Sequence, residues 1–258
     1  MIAQMDYLGV SHALLQCGRL YGRLNDFLSA VVREHPARFR ASFDVDESDL
    51  DSRAQADEVL RCVNELGLTA LYFSNDTFAL RSRNEDFGAP QFADFWDTVA
   101  GAGIPVLWDV RLTQDRTEAD YRREINRLHR FGRQHPSIRN VLTHGLPSVA
   151  LADNTIHQDV LSLLRETNTV VELLFPLLRG ASSDYPFREV WPIIRELYKR
   201  LGDTKLLWGS DMPNVERTCT YRQSLTYLTS YCTFLPALSI ERIVDHNARE
   251  LYFGGGRQ

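Results

Sequence analysis

Short apolar runs and amphipathic stretches alternate along this chain almost from end to end, and that alternation restricts the fold more than any other feature. The apolar runs fall at residues 11–16, 39–45, 69–74, 104–110, 140–144, 169–175 and 205–208. Within each, apolar residues follow one another without polar alternation, as in strands buried on both faces of a parallel sheet. Between them, residues 24–34, 53–66, 90–101, 117–134, 156–166 and 186–201 carry helical patterns. Strand and helix in strict turn predict right-handed βαβ units. The expected fold class is therefore α/β, a (β/α)₈ barrel of the TIM type.

Seven strands are one fewer than the eight of a closed barrel. Residues 1–8 read as a helix with Gly9 as its stop, although a barrel places a strand before its first helix. The sequence thus predicts a barrel lacking its first strand. Either the barrel is open on one side, with an edge that a partner or another segment usually covers, or the true start lies upstream of Met1. Helical patterns at 221–233 and 240–252 follow the last strand and lead to Gly254-Gly255-Gly256. With no linker, low-complexity run or internal repeat, residues 1–258 are expected to form one domain.

Composition narrows the partners. Hydrophobic residues at 44% and charged residues at 24% are ordinary for a globular chain. A formal charge of −5 leaves no basic footprint for nucleic acid. The glycines form no phosphate-cradling motif, so no nucleotide cofactor is expected. The N-terminus lacks the charged and apolar regions of a signal peptide, and the most apolar stretch, 170–178, is too short to span a bilayer. Cys17, Cys62, Cys219 and Cys232 have no C-x-x-C spacing, which fits reduced thiols. A cytoplasmic protein is expected, acting on a small molecule without a membrane or nucleic-acid partner.

In a parallel barrel the C-terminal strand ends converge on one mouth, where polar residues are functional candidates. Asp109, His144, Glu172 and Asp211 occupy such positions. Asp211, after the run Leu206-Leu207-Trp208 and in the turn Gly209-Ser210-Asp211-Met212-Pro213, either caps a turn or serves as a general base or hard metal ligand. His144 either bonds a loop carbonyl or, beside Asp211, shuttles a proton or polarises a carbonyl. Glu172 reads slightly better as the structural partner of an arginine. Arg217, Tyr221 and Arg222 follow the Asp211 turn closely. The arginines suit bidentate capture of a substrate carboxylate, and solvated loop charges are the equal alternative.

These residues carry a resemblance to the amidohydrolase-related family, in the branch of aminocarboxymuconate-semialdehyde decarboxylase, aromatic-acid decarboxylases and small lactone hydrolases. The matching pieces, in order, are Met5-Asp6-x-x-Gly9-Val10, His35-Pro36-x-Arg38-Phe39, Gly103-Ile104-Pro105-Val106, Thr143-His144-Gly145, Trp208-Gly209-Ser210-Asp211-Met212-Pro213 and Asn247-Ala248. The resemblance spans essentially the whole chain. It implies a distorted (β/α)₈ barrel and one divalent metal, zinc or manganese, held by His-x-His on strand one, a strand-five histidine and a strand-eight aspartate. By position, Asp211 matches that aspartate and His144 the sixth-strand histidine that works as acid or base. Two departures follow: no His-x-His occurs, and Asp109 stands at the strand-five histidine. The implied metal set is reduced to Asp211 with Asp109, two carboxylates that favour a harder, weakly held ion or none.

The activity implied is hydrolysis of a small carboxylated or cyclic-ester substrate, with Asp211 activating water, His144 assisting, and Arg217, Arg222 and Tyr221 binding substrate. Metal-dependent non-oxidative decarboxylation and a degenerate, non-catalytic barrel are the alternatives. Association into homo-oligomers is in keeping with the resemblance.

Overall fold

The computed structural model describes residues 1–16, 22–74, 86–110, 117–144, 146, 151–152, 155–176 and 184–254. Gly145 and Cys17, both singled out in the sequence, lie outside them. Cys62, Cys219 and Cys232 are free thiols. No helix among the described residues is long and apolar enough to cross a membrane.

Seven strands form one parallel sheet: β1 Ala13–Leu15, β2 Phe39–Phe43, β3 Ala70–Phe73, β4 Val106–Asp109, β5 Asn140–Thr143, β8 Thr169–Leu173 and β9 Leu206–Trp208. Each lies within the apolar run that predicted it. A two-stranded antiparallel hairpin, β6 Leu151–Ala152 and β7 Thr155–Ile156, is inserted between β5 and β8. At two residues a strand, it is too short to show a period, and it displaces the start of the next helix from 156 to Gln158.

Order in the sheet follows order in the chain, with every neighbouring pair parallel. Crossovers of one hand then place the helices on one side, and the other side curls in on itself. The result is a TIM-barrel wall with one strand lacking among the described residues. β1 and β9 are the two edges, and neither has a second partner strand among the described residues. Their burial records this: every residue of β3, β4 and β5 is buried, whereas all three of β1 are only partly covered.

The helices around this wall are α1 Ile2–Leu8, α2 Asn25–Glu34, α3 Arg53–Asn64, α4 Ala93–Ala102, α5 Glu118–Gln134, α6 Gln158–Glu166 and α7 Trp191–Leu201. α5 shows how sequence selects such a helix. Tyr121, Ile125, Leu128 and Phe131 recur at helical spacing and are all buried. A reciprocal capping box between Thr117 and Asp120 satisfies orphan N–H groups at its start. Phe131 packs with Trp96, Trp108 and Phe87 at centroid distances of 4.6, 5.1 and 5.6 Å. The Trp108 indole N–H donates to Asn140 Oδ1 at 2.8 Å, tying β4 to the start of β5. The helices expected at 221–233 and 240–252 are interrupted: α8 Tyr221–Thr226 widens into a π-helix at Tyr227–Tyr231, and α9 Ala237–Glu241 joins α10 Asn247–Tyr252 through another at Arg242–His246.

Candidate active site

Four strand ends deliver the mouth. β4 ends on Asp109, β5 ends on Thr143 with His144 next, Glu172 is the penultimate residue of β8, and Asp211 follows β9 by three residues. Register brings the first two elements together, since Asp109 is opposite Thr143 across the β4–β5 ladder. His144 then leaves the strand with φ 50° and Asp211 leaves its turn with φ 53°. Both are left-handed conformations that cost a non-glycine residue about 1 kcal/mol or more. Tertiary contacts must hold them, and those contacts are visible.

His144 Nδ1 lies 3.3 Å from Asp109 Oδ1, and its Nε2 lies 3.6 Å from Asp211 Oδ2. The Tyr72 hydroxyl, from β3, donates to the other oxygen of Asp109. The four side chains make a line, Tyr72, Asp109, His144, Asp211, in which one imidazole bridges two carboxylates. Exposure rises along that line, from 3% for Asp109 to 10% for His144 and 27% for Asp211. Water therefore reaches Asp211, while Asp109 sits behind the ring. Asn214 Nδ2 donates to Asp211 Oδ2 at 3.3 Å and fixes the outer carboxylate.

Glu172 belongs to the same chamber. Thr143 Oγ1 donates to its Oε2, and the Gln16 side chain at the end of β1 bonds it too. Burial pushes its carboxyl above the usual range and Asp211 adds to the rise, while the Thr143 bond, the field of His144 and the Gln16 bond oppose it. Its Oε1 presses on Gly209, where a Cβ would stand only 2.1 Å away. That close approach explains a glycine at the start of the turn that bears Asp211. The expected arginine partner of Glu172 is replaced by threonine and glutamine.

A cavity of about 490 Å³ opens on these groups, lined by His144, Asp211, Glu172, Leu174, Met212 and Tyr221 among others. Burial raises the Tyr221 phenol, against an opposing bond with Ser210, and its ring stacks on Trp208 at 6.1 Å. Asp109 does not line the cavity, and neither do Arg217 and Arg222, which are exposed. No lysine or arginine among the described residues lines it. The structure thus gathers Asp211, His144, Asp109, Glu172 and Tyr221 and leaves the two arginines outside.

Sequence reasoning missed Tyr72 and Gln16. Tyr72 reads as one more apolar residue in a buried run, and only the register that places β3 beside β4 aims its hydroxyl at Asp109.

The donors among the described residues do not suit a divalent ion. Among the described residues, no three or more His, Cys, Asp or Glu side chains converge as a metal cage. Asp109 has one oxygen engaged by Tyr72 and the other against the imidazole, so it presents none to the cavity.

A family model described as Amidohydrolase matches residues 3–254 of the chain. Three solved structures have the same overall shape. A probable 2-pyrone-4,6-dicarboxylic acid hydrolase from Acinetobacter baumannii, with citric acid bound, superposes with a TM-score of 0.75 at 16% identity, covering 97% of this chain and 86% of that one. 2,6-Dihydroxybenzoate decarboxylase from Rhizobium gives 0.72 at 18% identity, covering 99% and 88%. A dihydroxybenzoic acid decarboxylase from Polaromonas, with bound manganese and 2-nitroresorcinol, gives 0.70 at 17%, covering 97% and 84%. At such identities the likeness is one of fold. No curated protein matches the sequence.

Proposed function

We propose, from the premise that this chain belongs to the amidohydrolase family, that it hydrolyses a small cyclic ester through Asp211 and His144. The observation that carries this reading is the imidazole bridging a buried and a water-accessible carboxylate, 3.3 Å from one and 3.6 Å from the other. Nδ1 lies beside Asp109, which Tyr72 holds in place, and Nε2 is on the side of the outer acid and the cavity.

The steps balance on these groups. The Asp211 carboxylate takes a proton from a water whose oxygen bonds to the acyl carbon. As the tetrahedral anion collapses, the acyl C–O bond breaks and the imidazolium of His144 gives its Nε2 proton to the departing oxygen. The proton on Asp211 then passes to Nε2, restoring both groups. Acid–base assistance of this kind supplies about 10²–10⁴-fold, and substrate positioning in the cavity supplies more. The probable 2-pyrone-4,6-dicarboxylic acid hydrolase of the same fold supports the choice of a cyclic ester.

Turnover of a panel of five- and six-membered lactones tests the reading. Asp211→Asn is expected to lower kcat by about 10²–10⁴-fold with the fold intact by circular dichroism; full turnover in that variant would end the proposal.

A second reading, non-oxidative decarboxylation of a small aromatic acid, is supported by the decarboxylases of the same fold, one with bound manganese. Elemental analysis of purified protein together with CO₂ release from dihydroxybenzoate separates the two. Stoichiometric manganese or zinc with CO₂ release would favour decarboxylation over hydrolysis.

A further inference from the structure

The face opposite the mouth carries another cavity, about 680 Å³ in volume. It lies at the N-terminal ends of β1 and β2, beside His12 and the Pro36-Ala37 turn, and the end of α10 closes it with Arg249, Glu250 and Phe253. No residue lines both this cavity and the one that holds His144 and Asp211.

Two arginines flank Phe39, the first residue of β2, and they are used differently. Arg38 is fully spent. Its Nε donates to the Ser11 carbonyl at 2.7 Å, its Nη2 to the Val10 carbonyl at 3.2 Å, and its Nη1 lies 2.8 Å from Asp6 Oδ1. Arg40 lines the cavity and engages only Nη1, which donates to the Pro36 carbonyl at 2.7 Å and the Phe39 carbonyl at 3.0 Å. Its guanidinium lies 4.8 Å from the centroid of the Phe253 ring, and the His12 ring meets Phe253 edge-on at 4.9 Å. The guanidinium is thus anchored through one nitrogen and one face, while Nε–H and the Nη2 hydrogens have no acceptor among the described residues. That outer edge is the fork that takes both oxygens of a carboxylate or two of a phosphate, and here it is set in place before any ligand arrives.

Charge around the fork selects between these anions. Arg249 is committed to Asp245 at 2.7 and 3.0 Å, and His246 lies 3.5 Å from Glu241 and 3.7 Å from Asp245. Glu250 adds a carboxylate to the lining. One uncompensated guanidinium beside that carboxylate favours a singly charged ligand over a phosphate dianion. The His12 imidazole registers the field that remains: burial holds it below its usual range, and Arg249, Arg38 and Arg40 lower it further against Asp245. Pro36, Ala37 and Phe253 offer apolar surface beside the fork.

We propose that this cavity binds a small monocarboxylate with an apolar body, its two oxygens held by Nε and Nη2 of Arg40 and its body against Pro36, Ala37 and Phe253. The proposal goes beyond the hydrolytic reading and does not depend on it. The test titrates benzoate, acetate and inorganic phosphate into the full chain near neutral pH at constant ionic strength. The nuclear magnetic resonance signals of the Arg40 Nε–H and the His12 ring are followed. Benzoate is expected to move both along one saturating curve with a Kd of about 1–10 mM, and acetate, which lacks the apolar body, to bind roughly threefold more weakly or worse. Arg40→Lys keeps the charge and loses the fork, so it should weaken benzoate by about 10-fold or more, read at His12. Glu250→Gln leaves the anchors of Arg40 in place and removes the opposing carboxylate, so it should tighten benzoate by about threefold or more. No saturable shift in the unaltered chain, undiminished binding in Arg40→Lys, no gain in Glu250→Gln, or phosphate held more tightly than benzoate would each overturn the proposal.

Discussion

Gly209→Ala is the sharpest test of how the site is held. A methyl group there would lie 2.1 Å from Glu172 Oε1, 2.6 Å from Cδ and 2.7 Å from Cγ. Ordinary contact requires the carboxyl to retreat by about 1 Å. Gly209 is not among the residues with positive φ, so the backbone itself accepts alanine. The cost comes from Glu172, which must abandon its bonds to Thr143 and Gln16. Overpacking costs about 1–3 kcal/mol, and each disturbed hydrogen bond about 1 kcal/mol. A net loss of about 3 kcal/mol corresponds to a melting temperature lower by about 6–12 °C for a chain of this size. The assay is a double-mutant cycle by urea unfolding with Glu172→Ala, which removes the atoms the methyl would strike. In that background Gly209→Ala should cost less than about 1 kcal/mol. An undiminished cost there would show that the glycine serves the turn alone, and that Glu172 has no part in placing Asp211.

The other expectations concern the same groups. Asp109→Asn should lower kcat by about 10-fold or more and shift the pH profile of kcat, with Tyr72→Phe acting in the same direction but less, because both act through the orientation of His144; unchanged pH profiles in both would remove them from the relay. Glu172 has its carboxyl raised by burial, so ionisation opposes folding: the penalty is absent below about pH 4, the usual carboxylate range, and is complete only above the folded-state value. Glu172→Gln should therefore raise the melting temperature more at pH 7 than at pH 4, and an equal effect at both would contradict a raised carboxyl. Arg217→Ala and Arg222→Ala, both at exposed positions, should leave KM for a neutral lactone within about twofold, measured by initial rates.

The wall of the barrel was legible because a strand buried on both faces leaves an unbroken apolar run, and every strand of the seven-stranded sheet lies inside such a run. Asp211 and His144 were legible for a related reason: each closely follows the end of such a run, on the side that faces the mouth. The relay behind them was not, because it depends on strand register. Asp109 reads as a residue at a ligand position until β3 is set beside β4 and Tyr72 closes on it. Glu172 likewise reads as half of a salt bridge until β1, β5 and β9 deliver Gln16, Thr143 and Gly209 around it. The arginines are near Asp211 in sequence, but the 3₁₀ turn at Asn214–Arg217 and the first turn of α8 carry them to the surface.

Charge in the cavity bears on the choice of substrate. Asp211 and Glu172 line it, His144 is balanced by Asp109 behind it, and no described lysine or arginine contributes. A carboxylate on the substrate would enter a space whose nearest fixed charges are acidic. At a separation of about 6 Å and an effective dielectric constant of about 20, one uncompensated like-charge pair costs about 3 kcal/mol, or roughly 100-fold in binding. A neutral lactone should accordingly be turned over with kcat/KM about 100-fold above that of the same ring bearing a carboxylate, and added salt should narrow the gap by screening the repulsion. Initial rates on the two compounds at low and high ionic strength measure this directly. Preference for the carboxylated ring would refute the reasoning, and would mean that a cation from outside the described residues lines the cavity and sets the substrate's charge.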